Sequence, residues 1–446
     1  MHGFDRVWIL LLLAALIAAN GSIARSADTD PEFAAAKTSF LKEMKKRVPT
    51  ARAEAVAAIA KVPRPETADL LIKRGLTDDD DNVQQAARKS LRVIAQDPTT
   101  ASHMAEELKR SVKKQISPET LMGLLGSLVA TEDRQIQLEL VKIIDDYLAS
   151  PRGNLLVPMT VIDELGQQGG ADAFRGVSLL ARAKAFDSQF GYRRCVVQAL
   201  SKLREPDAIG YLIDMIPRTQ GLVQYDIIQY LTKTTKQKFR DNDRDWGLWW
   251  KENQAKFQFP AAGAAADVVD LGDDKNPTYY GIPICAKRIV FVLDTSASMR
   301  GQPMEAAKVA LLKTVEALPE AVNFDIIMFD RTANAWVPRL VPATYQAKQE
   351  AAQTVMSRGM GLGTASHAAL NAAFTLEPEV IYFLSDGEPT DGQPAQIVST
   401  IAALNRTHRV SIHTIGVVTQ RGGGAGLTFF MQPLAQQNYG SFRLIE

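Results

Sequence analysis

The sequence has few cysteines and no excess of charge of either sign. Cys195 and Cys285 are its two cysteines, too few for a disulfide framework or a four-cysteine zinc site. Lysine and arginine number 51 against 50 aspartates and glutamates, so no overall basic field favours a nucleic-acid partner. With 46% hydrophobic and 23% charged residues among 446, the chain is globular in composition, and its length predicts about three domains.

The sequence also lacks the common catalytic motifs. It contains neither a His-Glu-x-x-His nor a Gly-x-Ser-x-Gly motif. The glycine-rich stretch at 422–426 is not followed by the Lys-Ser/Thr pair of a phosphate-binding loop. We therefore predict that the protein is not an enzyme. A hydrolase is a weaker alternative, because no nucleophile with its base is recognisable.

A short apolar run occurs near the start of the chain. It extends over Val7–Ala19 and is shorter than the ~20 residues that a membrane-spanning helix requires. Ser22 and Ala24 follow at the spacing that signal peptidase prefers. We predict a signal peptide at 1–24, a protein that is secreted, periplasmic or located at the cell envelope, and no integral membrane span after cleavage. An uncleaved anchor is the alternative, because little positive charge precedes the run.

Residues 33–257 show the apolar spacing of α-helices, interrupted by prolines, glycines and aspartates. Two stretches within this region, Val56–Ile72 and Val197–Ile213, can be aligned with each other as helix, proline-containing turn and helix. The region resembles HEAT repeats, most clearly at 81–91. The resemblance implies an α-solenoid in which stacked helix pairs bury a continuous core. An unrelated helical bundle is the alternative.

Three tryptophans, at positions 246, 249 and 250, follow these repeats together with Phe257. We interpret them as a cap that covers the apolar end of the array, with a ligand platform as the alternative. Residues 258–285 are rich in alanine, glycine and aspartate, and we predict a linker there with a possible extra strand.

Residues 286–446 alternate between strand and helix patterns. The apolar run Ile289–Leu293 is typical of a strand buried on both faces of a parallel sheet. Further strands are predicted at Phe324–Phe329, Val380–Leu384, Val410–Val417 and Phe442–Ile445. The alternation predicts a doubly wound, Rossmann-like α/β sheet, in which ligand sites lie beyond the carboxyl ends of the strands.

Polar residues follow these strands at the points where sites are expected. The first strand leads into Asp294, Ser296 and Ser298, the third into Asp386, and a glycine-rich loop leads into Thr364. Two carboxylates and three hydroxyls are hard oxygen ligands that suit a small divalent cation. The alternative is that the aspartates only cap helices. Another acid after a strand, Asp330, either adds negative charge nearby or caps a loop.

The pattern Asp294-x-Ser296-x-Ser298, followed by Thr364 and Asp386, resembles the metal-ion-dependent adhesion site of von Willebrand factor type A (VWA) domains. The resemblance covers residues 286–446. It implies that Ser296, Ser298 and Thr364 bind Mg²⁺ or Mn²⁺ directly and that the two aspartates bind it directly or through water. It also implies that an acidic residue of an unidentified protein partner completes the coordination shell.

These features predict an exported adhesion or scaffold protein that binds its partner through a cation, with the solenoid as a second interaction surface. VWA domains also serve as partner subunits of AAA-type ATPases in chelatase-like machines, which is the alternative function. That alternative requires a cytosolic chain, and the predicted signal peptide argues against it.

Overall fold

The computed structural model describes residues 30–114, 117–150, 153–260, 276–387, 389–419 and 426–445. The predicted signal peptide and most of the predicted linker lie outside these residues, as does most of the glycine-rich stretch at 422–426. None of the helices within the described ranges is long and apolar enough to cross a membrane. The chain divides into two compact units, one ending at Glu107 and the other beginning at Leu108.

Helices account for the regular structure before residue 260, as the apolar spacing predicts. Their bounds are α1 Pro31–Glu43, α2 Pro49–Ile59, α3 Pro65–Leu70, α4 Asp81–Ile94, α5 Pro98–Lys113, α6 Pro118–Leu128, α7 Arg134–Ala149, α8 Leu156–Gln168, α9 Gly170–Leu180, α10 Ala185–Ser188, α11 Phe190–Lys202, α12 Pro206–Met215, α13 Gly221–Thr235 and α14 Asp243–Asn253. Their assignment to HEAT repeats, and the domain bounds 33–257, 258–285 and 286–446, stay predictions.

Residues that interrupt the helical pattern in the sequence begin the helices in the structure. Proline occupies the first turn of α1, α2, α3, α6 and α12. Backbone N–H groups in the first turn have no acceptor within the helix, so the N–H that proline lacks costs no hydrogen bond there. Asp80 precedes α4 and accepts hydrogen bonds from two backbone N–H groups, and Asp133 does the same for α7. Each such cap stabilises its helix by about 1 kcal/mol.

The tryptophans of α14 differ in burial. Trp246 is fully buried, packs edge-on against Phe239 and donates a hydrogen bond from Nε1 to the carbonyl of Arg240. Trp249 and Trp250 are half-buried and contact Phe257. These contacts close an aromatic cluster at the end of the helical region, which favours the interpretation of the tryptophans as packing residues.

A seven-stranded mixed sheet follows, which confirms the α/β prediction for the C-terminal region. Its strands are β3 Arg288–Asp294, β4 Asn323–Phe329, β5 Ala333–Ala335, β6 Val341–Pro342, β7 Val380–Ser385, β8 Ser411–Val417 and β9 Phe442–Ile445, preceded by a small hairpin of β1 Thr278–Tyr279 and β2 Ile282–Pro283. The order is β5-β4-β3-β7-β8-β9, with β6 also paired to β4. Strands β3, β4, β7, β8 and β9 are parallel, whereas β5 and β6 run antiparallel to β4 and were not expected.

Both faces of this sheet are covered by helices. These are α15 Gln302–Ala317, α16 Tyr345–Ser357, α17 Ser366–Thr375, α18 Pro394–His408 and α19 Gln432–Gln436. Successive residues of β3 contribute to opposite faces: Phe291 packs in a core with α15 and α16, and Val292 in a core with α17 and α18. The carboxyl ends of the parallel strands are thereby held at one rigid edge.

Candidate metal centre

Three neighbouring parallel strands bring polar residues to the carboxyl edge of the sheet. Strand β3 ends at Asp294, β7 ends at Ser385 directly before Asp386, and β8 ends two residues before Thr419. Because β3 pairs with β7 and β7 with β8, all in parallel, these ends lie side by side.

Four of the five predicted site residues are joined by hydrogen bonds. The Ser298 hydroxyl donates to Oδ1 of Asp386 at 2.9 Å and lies 2.9 Å from the hydroxyl of Ser296. The backbone N–H of Ser296 donates to Oδ1 of Asp294 at 2.8 Å. The residues that follow β3 and β7 therefore form one continuous cluster, which we call the edge cluster: Asp294, Ser296, Ser298 and Asp386.

The fifth residue, Thr364, is attached to this edge through its loop. Gly361 forms a parallel bridge with Ser296, and the N–H of Gly361 donates to the carbonyl of Thr295 at 2.9 Å. The N–H of Thr364 donates to the hydroxyl of Thr390 at 2.8 Å, in the loop that follows Asp386. Thr364 is buried between the segments that carry the two aspartates.

Glycine is required at position 361 because of the neighbouring side chain of Asp330. A Cβ atom added at Gly361 would lie 2.0 Å from Oδ2 of Asp330, a separation that no side chain tolerates. Asp330 itself forms an ion pair with Arg358 at 2.7 Å and accepts a hydrogen bond from the N–H of Thr332. Of the two roles considered for Asp330, the structure supports the loop cap, with its charge balanced by Arg358.

The two aspartates of the edge cluster are buried, and the described part of the chain gives them no basic partner. Both are 0% exposed, and among the described residues neither forms an ion pair with lysine or arginine. The pKa of Asp294 is raised to about 6, chiefly by burial and to a smaller extent by the charge of Asp386, whereas hydrogen bonds from Ser385 and Ser296 oppose the rise. Burying charge without compensation is costly, so the arrangement suits a bound cation.

Sequence reasoning missed two hydroxyls that hold these carboxylates. The Ser385 hydroxyl donates to Oδ2 of Asp294 at 2.5 Å, and the Thr419 hydroxyl donates to Oδ2 of Asp386 at 2.9 Å. Both follow the rule that found the other residues, since each lies at or just beyond the carboxyl end of a strand. Thr419 could have been included had β8 been searched in the same way as β3 and β7.

Comparison with known proteins identifies this region. Residues 287–442 match the family model described as von Willebrand factor type A domain. Residues 287–442 form a VWA domain. The inter-alpha-trypsin inhibitor heavy chain H3 of Bos taurus is 31% identical over 179 residues, which are 37% of this chain and 20% of that protein. Heavy chain H1 of Mesocricetus auratus is 31% identical over 172 residues, 35% of this chain and 18% of that protein.

The chain thus spans about a fifth of the length of these curated relatives. Among solved structures, the von Willebrand factor type A protein from Catenulispora acidiphila is 20% identical and has a TM-score of 0.32. That likeness covers 37% of this chain and 40% of the other. The region matched by the family model contains the whole edge cluster and Thr364.

Proposed function

We propose that the VWA domain holds Mg²⁺ or Mn²⁺ at the edge cluster and uses the ion to bind an acidic side chain of a protein partner. Ser296, Ser298 and Thr364 would supply hydroxyl ligands, and Asp294 and Asp386 would bind the ion directly or through water. The observation that carries the proposal is a pair of fully buried carboxylates joined to hydroxyls, with no basic partner among the described residues.

The donor set favours a hard cation over a soft one. All five residues offer oxygen, which suits Mg²⁺ and Mn²⁺, whereas thiolate and imidazole ligands are what soft or borderline metals prefer. Two carboxylates neutralise a divalent ion without giving the site a net negative charge. A carboxylate from a partner can therefore replace a bound water without strong repulsion.

The wider role that we propose is that of a non-enzymatic scaffold or adhesion protein at the cell envelope or outside the cell. Export is supported by the apolar run at Val7–Ala19 and the small residues at Ser22 and Ala24. The helical region before residue 260 supplies the second interaction surface. The HEAT-like repeats that the sequence predicts there are the kind of framework that presents such surfaces.

A metal titration of the full chain tests the cation site first. We expect Mn²⁺, followed by its electron paramagnetic resonance signal, to bind the wild type at one site that excess Mg²⁺ competes for. The variant Ser296→Ala/Ser298→Ala should lose this binding, because it removes two of the three hydroxyl ligands. Ser399→Ala removes an exposed hydroxyl from α18 and should leave Mn²⁺ binding unchanged. Equal Mn²⁺ binding by all three proteins would refute the site.

A peptide array then tests the acidic partner. Each peptide carries one glutamate, and its matched peptide carries glutamine at the same position. We expect the full chain to retain a subset of glutamate peptides in Mg²⁺, to lose them in EDTA, and to ignore the glutamine versions. Retention that survives EDTA, or that does not distinguish glutamate from glutamine, would contradict recognition through the cation.

A further inference from the structure

The first compact unit contains a group of metal-ligating side chains far in sequence from the edge cluster. It consists of Asp69, His103 and Glu107, which we call the helical triad. One ligand atom from each lies within 4.8 Å of the other two. His103 and Glu107 are four residues apart on α5 and therefore share a face of that helix, and Asp69 comes from the end of α3.

The ligand atoms of the helical triad already lie near one another. Nε2 of His103 lies 2.8 Å from Oδ1 of Asp69, and the two side chains are 27% and 35% exposed. The second carboxylate oxygen of Asp69 lies 3.4 Å from the ammonium of Lys73, which is 70% exposed and can move away from it at little cost. The three ligands are thus accessible from solvent while remaining anchored on packed helices.

We propose that the helical triad binds Zn²⁺. Imidazole with two carboxylates is a mixed nitrogen and oxygen set, which suits zinc, whereas Mg²⁺ and Ca²⁺ prefer oxygen alone. Three protein ligands leave a fourth tetrahedral position for water or for a group from outside. Ligand atoms placed tetrahedrally at ~2.1 Å from zinc lie roughly 3.4 Å apart. The ligand atoms of the helical triad lie within 4.8 Å of one another, so small rotations of these half-buried side chains bring them to that separation.

This site is independent of the proposed function of the VWA domain. The edge cluster and Thr364 together offer oxygen from five residues, and the helical triad offers one nitrogen and two carboxylates on other elements. An excess of Mg²⁺ therefore occupies the edge cluster and leaves the helical triad to zinc. A result that refutes zinc binding at the helical triad therefore leaves the proposal of a cation at the edge cluster unchanged, and the reverse also holds.

The test is a calorimetric zinc titration of the full chain in excess Mg²⁺. We expect the wild type to bind one more Zn²⁺ than His103→Gln. Glu107→Gln and Asp69→Asn should each weaken the same binding event by about tenfold or more, because a carboxylate ligand becomes a neutral amide. Zinc bound at the two cysteines or elsewhere is common to all variants and cancels in the comparison.

Glu106→Gln is the matched control. Glu106 is the neighbour of Glu107 on α5, is exposed and loses the same charge, but it lies outside the triad. We expect the zinc affinity of Glu106→Gln to stay within about twofold of the wild type, since water screens the interaction between an exposed charge and the bound ion. Unchanged binding by His103→Gln, or equal weakening by Glu106→Gln and Glu107→Gln, overturns the proposal.

Discussion

The two edges of the VWA sheet differ in whether the packed helices supply ion-pair partners for their buried charges. At the amino edge, Glu379 precedes β7 and accepts hydrogen bonds from the N–H groups of Leu222 and Lys287. Arg409 precedes β8, is 6% exposed and forms an ion pair with Asp163 of α8. At the carboxyl edge, the two aspartates of the edge cluster have hydroxyl and backbone N–H partners but no basic partner among the described residues.

The difference separates an edge held by structural contacts from the edge at which we propose that a cation binds. At the amino edge, residues of the packed helices form the ion pairs. Arg194 of α11 pairs with Asp226 at 2.7 Å and also donates a hydrogen bond to the carbonyl of Arg409 at 2.6 Å. These contacts fasten helices α8, α11 and α13 to the sheet. At the other edge no lysine or arginine among the described residues pairs with the two aspartates, which is the arrangement that the proposed cation site requires.

Breaking the amino edge should have the largest effect. Arg409→Met leaves Asp163 without its cation and removes the link to α8, so we expect the free energy of unfolding to fall by about 4 kcal/mol. Urea denaturation of the full chain measures this. Arg406→Met, an exposed change in the last turn of α18, should cost less than about 0.5 kcal/mol. A comparable loss in both variants would mean that the edge contact is not what stabilises the fold.

A buried carboxylate away from both edges sharpens the comparison. Asp325 lies within β4, is 0% exposed, and its Oδ2 has no hydrogen-bond partner in the described structure. Burial raises the pKa of Asp325 to about 7, although hydrogen bonds from the N–H groups of Ile326 and Val337 oppose the rise. The folded state therefore binds a proton that the unfolded chain releases, and this group makes stability fall as the pH rises from about 4 to 7.

Asp325→Asn should remove that pH dependence. We expect the variant to exceed the wild type in free energy of unfolding by about 4 kcal/mol above pH 7 and to match it near pH 4. The gain should be the same with and without Mg²⁺, because Asp325 does not belong to the edge cluster. Glu320→Gln, an exposed change, serves as the control across the same pH range. A gain that is independent of pH would contradict the titration of Asp325.

At the carboxyl edge, a cation should replace the missing compensation. At a Mg²⁺ concentration 100 times the dissociation constant, the wild type should gain about 2.7 kcal/mol in free energy of unfolding. Asp386→Asn should lose this gain, and without Mg²⁺ it should be at least as stable as the wild type, because like charge beside Asp294 is removed. Thermal and urea unfolding with and without Mg²⁺ measure both effects. A Mg²⁺-dependent gain that persists in Asp386→Asn would place the cation elsewhere.

The smallest effect that we expect is that of changing Thr419. This residue is not one of the five predicted ligands, but its hydroxyl orients Asp386. Thr419→Val removes the hydroxyl that donates to Oδ2 of Asp386, and we expect Mg²⁺ affinity to fall by about tenfold. Calorimetric titration measures the affinity, and Thr375→Val, at an exposed hydroxyl, is the matched control. An unchanged affinity would remove Thr419 from the supporting contacts of the site.

The sequence by itself determined the elements and the residue types at the carboxyl edge. Apolar periodicity predicts β3, β4, β7 and β8 within a residue or two, because burial on both faces demands a continuous apolar run. It also predicts that the residues after β3 and β7 meet, since parallel strands end at one edge. The apolar pattern did not predict β5 and β6. These strands are three and two residues long, which is too short for an alternating pattern to be recognised.

Tertiary structure alone decided how charges distant in sequence are compensated. Arg409 and Asp163 are 246 residues apart and lie in segments of different character, so no spacing rule connects them. The π-helical turn at Leu427–Met431, which leads directly into α19, is likewise a feature that no local spacing rule predicts. Local patterns reflect one element at a time. The strand order and the packing of helices against the sheet decide which buried charges meet a basic partner and which meet only hydroxyls and backbone N–H groups.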